Sequence, residues 1–158
     1  MFRKIRKVKN ELSPEMTREI LAKAPRGVLA LHGDDGYPYG LPLNYVYDEE
    51  NQALYFHGTK TGYKIDCIDK EPKACFTAML EEGISEDGWS KNTASVVAYG
   101  LVEEIEDQEF VREAMINLAK KYYPNMELVH ENMAASFKNT KMLAFHISYM
   151  TGKKVNER

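Results

Sequence analysis

About six strand-like segments, most joined to the next by a tight turn and one pair separated by a short helix, restrict this chain to an antiparallel sheet. "GVLALHG" (27–33) is a short apolar run, Asp34-Asp35-Gly36 is a hairpin turn, and "YPYGLPLNYVY" (37–47) reads as one returning strand. Pro38 and Pro42 remove two amide donors from it, which demands a bulge or a sheet edge. After the turn 48–52, "ALYFH" (53–57) puts Leu54 and Phe56 on one face and Ala53, Tyr55 and His57 on the other. "KACFTAML" (73–80) is a strand, 81–92 a loop, "TASVVAYGLVEEI" (93–105) a long strand, and "MLAFHISY" (142–149) the last. The regular strand-helix alternation of a doubly wound sheet is missing. The pattern predicts a mainly β (α+β) fold, six antiparallel strands closed into a small barrel with peripheral helices.

The helices announce themselves by their ends. Ser13-Pro14-Glu15 is a capped start, Met16, Ile20 and Ala24 share a face, and Pro25 stops the helix. Asp107 caps a second helix with Val111, Met115, Leu118, Ala119 and Tyr122 as its apolar stripe, and 126–137 forms a third. With 158 residues, 44% hydrophobic and 28% charged, the chain suits a single domain over 1–158, preceded within it by a basic arm over 1–12. No apolar run reaches the ~20 residues of a membrane span. The opening "MFRKIRKVKN" lacks the apolar core and small-residue cleavage site of a signal peptide. Net charge is −3 without a basic stripe interleaved with aromatics, which argues against nucleic acid. Cys67 and Cys75 have neither disulfide-framework nor zinc spacing, and His32, His130 and His146 add no metal pattern, so a reducing cytoplasm and no metal are expected.

One helix looks electrostatically reversed. In "YFHGTKTGYKIDCIDKEP" (55–72) a helix spans about 62–70, with Lys60 and Lys64 at its start and Asp66 and Asp69 toward its end. The helix dipole favours acids first and bases last. An anion at this terminus would resolve the conflict, because free amides and two lysines would then act on one negative group. Gly58, Thr59, Thr61 and Gly62 are small enough for close approach, although "GTKTGYK" is not a Walker loop. Two solvated lysines are the competing reading, since surface charge effects are small and screened. Tyr55, Phe56 and His57 stand just before this site, a neighbourhood that suits a flat aromatic ligand with a phosphate tail such as FMN. By residue type alone, Tyr55 and Phe56 also fit a core and His57 a structural hydrogen bond. Trp89, in a glycine-flanked loop, fits either a ligand cover or a packing contact.

The segments "DGYPYGLPLNYVY", "LYFHGTKTGYKID", "SVVAYG" and "ISYMTGK" occur in an order that resembles the FMN-binding split-barrel family related to pyridoxamine 5'-phosphate oxidase. Within it, the chain is most similar to Nim-type nitroimidazole-resistance proteins, over about residues 5 to 155. The resemblance implies a six-stranded split β-barrel and a homodimer with FMN at the subunit interface. It implies that Lys64 holds the phosphate, helped by the turn around Lys60 and Gly62. Leu43, Asn44, Tyr55, Phe56 and His57 would border the flavin, Ser95 and Val96 would approach from the long strand, and His57 would be the catalytic side chain facing substrate.

Departures from the family pattern narrow the activity. Thr93 and Ala94 stand where Nim-type relatives carry a tyrosine and a long polar residue, and Gly62-Tyr63-Lys64 replaces their Gly-His-Lys. An arginine near Tyr39 and a C-terminal basic cluster, both implied for vitamin B6 oxidation, are missing, and Lys153 and Lys154 replace the cluster only in part. The resulting expectation is a flavin-dependent reductase of small electron-poor substrates such as nitroaromatics, with a nicotinamide (NADH or NADPH) or another electron donor. The alternative is a non-catalytic protein of the same fold that stores or senses flavin or haem.

Overall fold

The computed structural model describes residues 2–136 and 140–157. Seven strands form one sheet: β1 (Gly27–His32), β2 (Pro38–Leu43), β3 (Val46–Asp48), β4 (Ala53–Thr59), β5 (Lys73–Ile84), β6 (Lys91–Glu104) and β7 (Thr140–Glu157). Their order is β2-β1-β5-β6-β7-β4-β3, with every neighbouring pair antiparallel.

The expected single strand over 37–47 is two strands, and they lie at opposite edges of the sheet. This corrects the count from six to seven, and the hydrogen-bonded ladder stays open between β2 and β3 rather than closing into a barrel. Asn44 and Tyr45 carry the chain across. Pro38 and Pro42 fall on edge strand β2, where the missing donors cost least.

Five expected strand ends move outward. β4 continues through Gly58 and Thr59 because β7 supplies partners as far as Thr59↔Thr140. β5 and β6 extend into the expected loop, leaving a tip of six residues, 85–90, in which the Asp87 carboxylate accepts from the Ser90 amide and hydroxyl. β7 doubles the expected 142–149, since β6 pairs with it from Lys91↔Glu157 to Glu104↔Leu143, with a bulge at Tyr99/Gly100. Gly152 belongs to that extension because α1 rests on it: a Cβ there would lie 2.3 Å from Thr17 Oγ1.

Capping chemistry starts the helices. Helix α1 (Pro14–Lys23) begins where Ser13 Oγ accepts from the Met16 amide, and it buries Thr17, Ile20 and Leu21, while Met16 is exposed, one position off the expected face. Helix α2 spans Tyr63–Lys70. Helix α3 (Gln108–Tyr122) starts where Asp107 accepts from the Glu109 and Phe110 amides. Helix α4 is Met126–Ser136; the expected last residue, 137, lies outside the described residues. None of the described helices is long and apolar enough to cross a membrane.

Two cores share the sheet. Leu54 and Phe56 of β4 join Leu29, Phe76, Val96 and Phe145 and the α2 residues Ile65, Cys67 and Ile68. Ala53 and Tyr55, on the other face, pack with Val111, Ala114, Met115 and Leu118 of α3 and with Val129. Strand β4 is thus covered on both sides over its first four residues.

Tyr45 ties these layers together at the crossing. Its side chain is fully buried, its hydroxyl donates to Leu21 O (2.5 Å), and its ring meets Phe76 edge-on at 4.8 Å. The Tyr122 hydroxyl accepts from the Tyr45 amide (2.9 Å) and lies 2.8 Å from Pro25 O and 2.9 Å from Tyr45 O. Removing that hydroxyl strands a part-buried amide, a cost of about 1–3 kcal/mol. Tyr122→Phe is therefore expected to lower the urea midpoint with an unchanged m-value, measured by equilibrium unfolding.

Candidate functional site

The reversed-charge helix is less reversed than its sequence suggests. Because α2 begins at Tyr63, Asp66 falls in its first turn and Lys70 in its last, leaving Lys64 and Asp69 as the unconventional charges. Gly62 is the N-cap, at φ 121°, a left-handed region that favours glycine, with no side chain capping the helix and open space where a Cβ would project. Thr59 Oγ1 donates to Thr61 O (2.7 Å) and shapes the turn.

Lys64 folds back from this terminus onto β4. A Cβ on Gly58 would come within 2.3 Å of Lys64 Nζ, so the ammonium occupies the space that the missing side chain leaves. Partial burial pushes the Lys64 pKa below its ordinary value. Neither Lys64 nor Lys60 forms an ion pair with a described residue. His57, one residue from the cradle, is exposed two residues before the end of β4. Atoms packed around the ring desolvate its charged form, and the Lys64 ammonium adds repulsion, so its pKa lies below the usual histidine value. Both effects favour the uncharged imidazole.

The other expected site residues divide by face and by strand. Phe56 is wholly buried in the main core. Tyr55 packs edge-on against Phe110 at 5.3 Å, and burial followed by the Asp48 carboxylate pushes its hydroxyl up to about 12. Both rings are packing residues within this chain. Lys60 lines a cavity of about 280 Å³ beside Gln108, Thr140 and the Lys141–Glu104 ion pair. Leu43 ends β2 half-buried against the core, and Asn44 Oδ1 accepts from Arg26 Nε (2.9 Å). On β6, Val96 points into the core, while Ser95 lies on the outer face in register with Met79 and Lys153.

Helix α2 links its terminus to edge strand β2: the Tyr63 ring lies 4.7 Å from Tyr39, and its hydroxyl accepts from the Asp34 amide (2.7 Å). The structure therefore gathers His57, Gly58, Gly62 and Lys64 in one place, and sets Ser95 on the outer face of the sheet. Arg26, which holds Asn44 from 18 residues away, had no local signal in the sequence. Among the described residues, no group of three His, Cys, Asp or Glu side chains could hold a metal ion, and both cysteines are free.

Comparison with known proteins agrees with this architecture. Residues 13–154 match the family described as pyridoxamine 5'-phosphate oxidase, and the chain belongs to that family. No curated protein matches. Among solved structures, a Bacteroides thetaiotaomicron protein assigned to 5-nitroimidazole antibiotic resistance is 24% identical, with a TM-score of 0.75 over 93% of this chain and 87% of that one. An FAD-binding protein from Mesorhizobium loti is 20% identical, with a TM-score of 0.68 over 92% and 96% of the two chains. An FAD and heme binding protein from Mycobacterium smegmatis is 19% identical, with a TM-score of 0.68 over 89% and 70%. Likeness at these identities concerns the fold.

The cradle itself is testable. In Gly58→Ala the new methyl occupies the place of Lys64 Nζ, and the flexible lysine yields to it. Folding stability is expected to change by less than about 1 kcal/mol, as for other conservative changes that leave the core intact. The Lys64 pKa, followed by NMR of the labelled amine, is expected to return toward 10.5. A pKa unmoved by the substitution would show that the ammonium does not depend on the cradle.

Proposed function

We propose that this protein binds FMN and acts as a flavin-dependent reductase of small electron-poor substrates such as nitroaromatics, working as a homodimer with cofactor sites at the subunit interface. The observation that carries the reading is Lys64: a half-buried ammonium, cradled by Gly58 beside an uncapped helix start, with no ion pair to a described residue. Those features fit a phosphate monoester, which supplies the missing charge and accepts from the first-turn amides. Leu43 and Asn44, with Arg26 holding the latter, would border the ring system, as would the β4 backbone at Tyr55 and Phe56. Lys60 and Gly62 would complete the phosphate turn, and Ser95 and Val96 would approach on β6. Bound FMN would supply the electron-transfer chemistry, taking electrons from NADH or NADPH and passing them to the acceptor.

The neighbour named for both FAD and heme keeps a flavin- or haem-binding store or sensor as the second reading. The visible spectrum of the purified protein and chromatography of its extracted cofactor separate FMN, FAD and haem. Anaerobic addition of NADH or NADPH then bleaches the flavin of a reductase and leaves that of a store oxidised. The outer sheet face supports the dimer, since Val28, Met79, Tyr99 and Leu101 are exposed there. The free thiols fit a reducing cytoplasm.

Lys64→Ala is expected to weaken FMN binding about tenfold to a hundredfold, the equivalent of one charge-assisted contact, with the fold retained. The affinity also carries a pH signature. Burial lowers the Lys64 pKa in the free protein and phosphate favours the charged form, so binding requires proton uptake once the pH exceeds that lowered value. Affinity falls as pH rises through it, whereas Lys64→Arg, charged throughout, loses this dependence. Fluorescence titration from neutral to alkaline pH checks the contrast.

His57 has a pKa below 6.5, so its capacity as a proton donor grows as the pH drops. Oxidation of the reduced enzyme by a nitroaromatic is expected to accelerate toward acid with a midpoint under 6.5. His57→Ala is expected to keep its FMN and its reduction by donor, lose this acid limb, and slow the oxidative half-reaction by about 10²–10⁴. Stopped-flow measurement of the two half-reactions decides it, and loss of flavin from His57→Ala would instead make His57 a binding residue.

A further inference from the structure

We propose that the β5–β6 hairpin is a cross-subunit arm whose Trp89 fills a cleft at the opposite end of the same sheet face on a second copy of this chain. The inference rests on the homodimer of the preceding subsection and adds how its two copies engage.

The hairpin extends past the strand pairing of β1, with β7 alongside it as far as Lys91↔Glu157, and holds two large apolar side chains in solvent, Ile84 at 65% and Trp89 at 64% exposure. Leaving both in water is unfavourable by the transfer energy of their apolar surface. The register places further apolar residues behind them on the outer face. Met79 pairs with Ser95, Val28 and Val97 both pair with Thr77, and Cys75 pairs with Tyr99. At the far end of this face lies a cleft of about 600 Å³, lined by Ala30, Tyr37, Cys75, Tyr99, Leu101 and Phe2. Phe2 stacks on Tyr149 (4.9 Å, 4°) and on Tyr99 (5.2 Å, 28°), forming an aromatic wall against which an indole can pack.

A two-fold dimer through this face has two arrangements, and charge chooses between them. With the axis along the strands, each hairpin meets the other hairpin and sets Glu86 and Asp87 of the tip against the same two acids, Glu81 and Glu82 being paired within the chain with Lys91 and Lys154. With the axis across the strands, the acidic hairpin meets the cleft end of the partner. There the arm begins with Phe2, followed by Arg3 and Lys4, neither of them ion-paired with a described residue, before it runs back along β7 to Asn10, which donates to Lys154 O, and to Glu11, which bridges Lys153. Opposite charges favour this second arrangement. The spacing also agrees. An axis crossing β6 at Ser95 leaves the start of the strand, Lys91, four residues to one side with Trp89 in the tip just beyond it, and Leu101 six residues, about 20 Å, to the other. Met79, 57% exposed and paired with Ser95, then meets its own symmetry mate at the axis.

Trp89 is the only tryptophan, so the unmodified protein reports on the contact directly. In the dimer its emission is expected to lie to the blue of a solvated indole and to resist acrylamide quenching. Leu101→Asp, on the cleft wall, is expected to weaken the dimer at least tenfold and return the emission to the red. A solvated tryptophan in a protein that light scattering shows to be dimeric overturns the proposal and leaves the dimer standing; a monomer overturns both. A second variant distinguishes the two arrangements. In Trp89→Cys, a short bismaleimide is expected to join position 89 of one copy to Cys75 of the other, identified by peptide mass spectrometry. A link between the two copies of position 89 would place hairpin on hairpin and refute the assignment to the cleft.

Discussion

Tyr45 sits where the chain leaves one edge of the sheet for the other, and each of its polar groups is accounted for. Its hydroxyl donates to helix α1 at Leu21 O, and its main chain is held by the Tyr122 hydroxyl of α3. The Lys121 ammonium lies 4.0 Å above its ring and donates to Ala24 O (2.8 Å). Burial pushes the Tyr45 hydroxyl pKa far up, so the phenol stays protonated and remains a donor. The segment that separates β2 from β3 thus joins both helices to the sheet, and the open edge beside α2 is positioned by this junction.

Helix α2 fixes the environment of Lys64: it stands beside β2 through Tyr63 and Tyr39 and turns its start toward the end of β4, where the lysine meets Gly58. Burial alone opposes the charged form of Lys64, and a described counter-ion is missing. A fold that keeps an ammonium in such a place holds electrostatic energy that an anionic ligand can release. On the proposed reading, stability and binding make opposing demands on this one side chain.

Strand β6 has a different division of labour. Ala94, Val96, Ala98 and Val102 fill the core, and the intervening Ser95, Val97, Tyr99 and Leu101 face outward. One strand thereby serves the hydrophobic interior and an apolar surface at once, the period of two assigning alternate residues to each. The hairpin that lengthens it, with β7 paired alongside to Lys91↔Glu157, carries that second surface past β1.

What the sequence determined by itself was local. Ser13 and Asp107 mark their helices because a cap is satisfied within three residues, and the glycine-rich turn before Lys64 was legible because the lysine and its cradle lie six positions apart. Alternation in 53–57 assigned Leu54 and Phe56 to one face and Tyr55 and His57 to the other. Tertiary structure decided whatever depended on a distant partner. It split 37–47 between two sheet edges, since Tyr45 is held by residues up to 77 positions away. It carried β7 through Thr151, Gly152 and Lys153, which read locally as a strand end, because β6 supplies hydrogen-bond partners and α1 requires a glycine there. It also buried both faces of β4, so that Tyr55 became a core residue under α3. Caps and alternation act over a few residues and can be read in order along the chain. Edge pairing, burial on a second face and the company of a lysine are set by segments that meet only on folding.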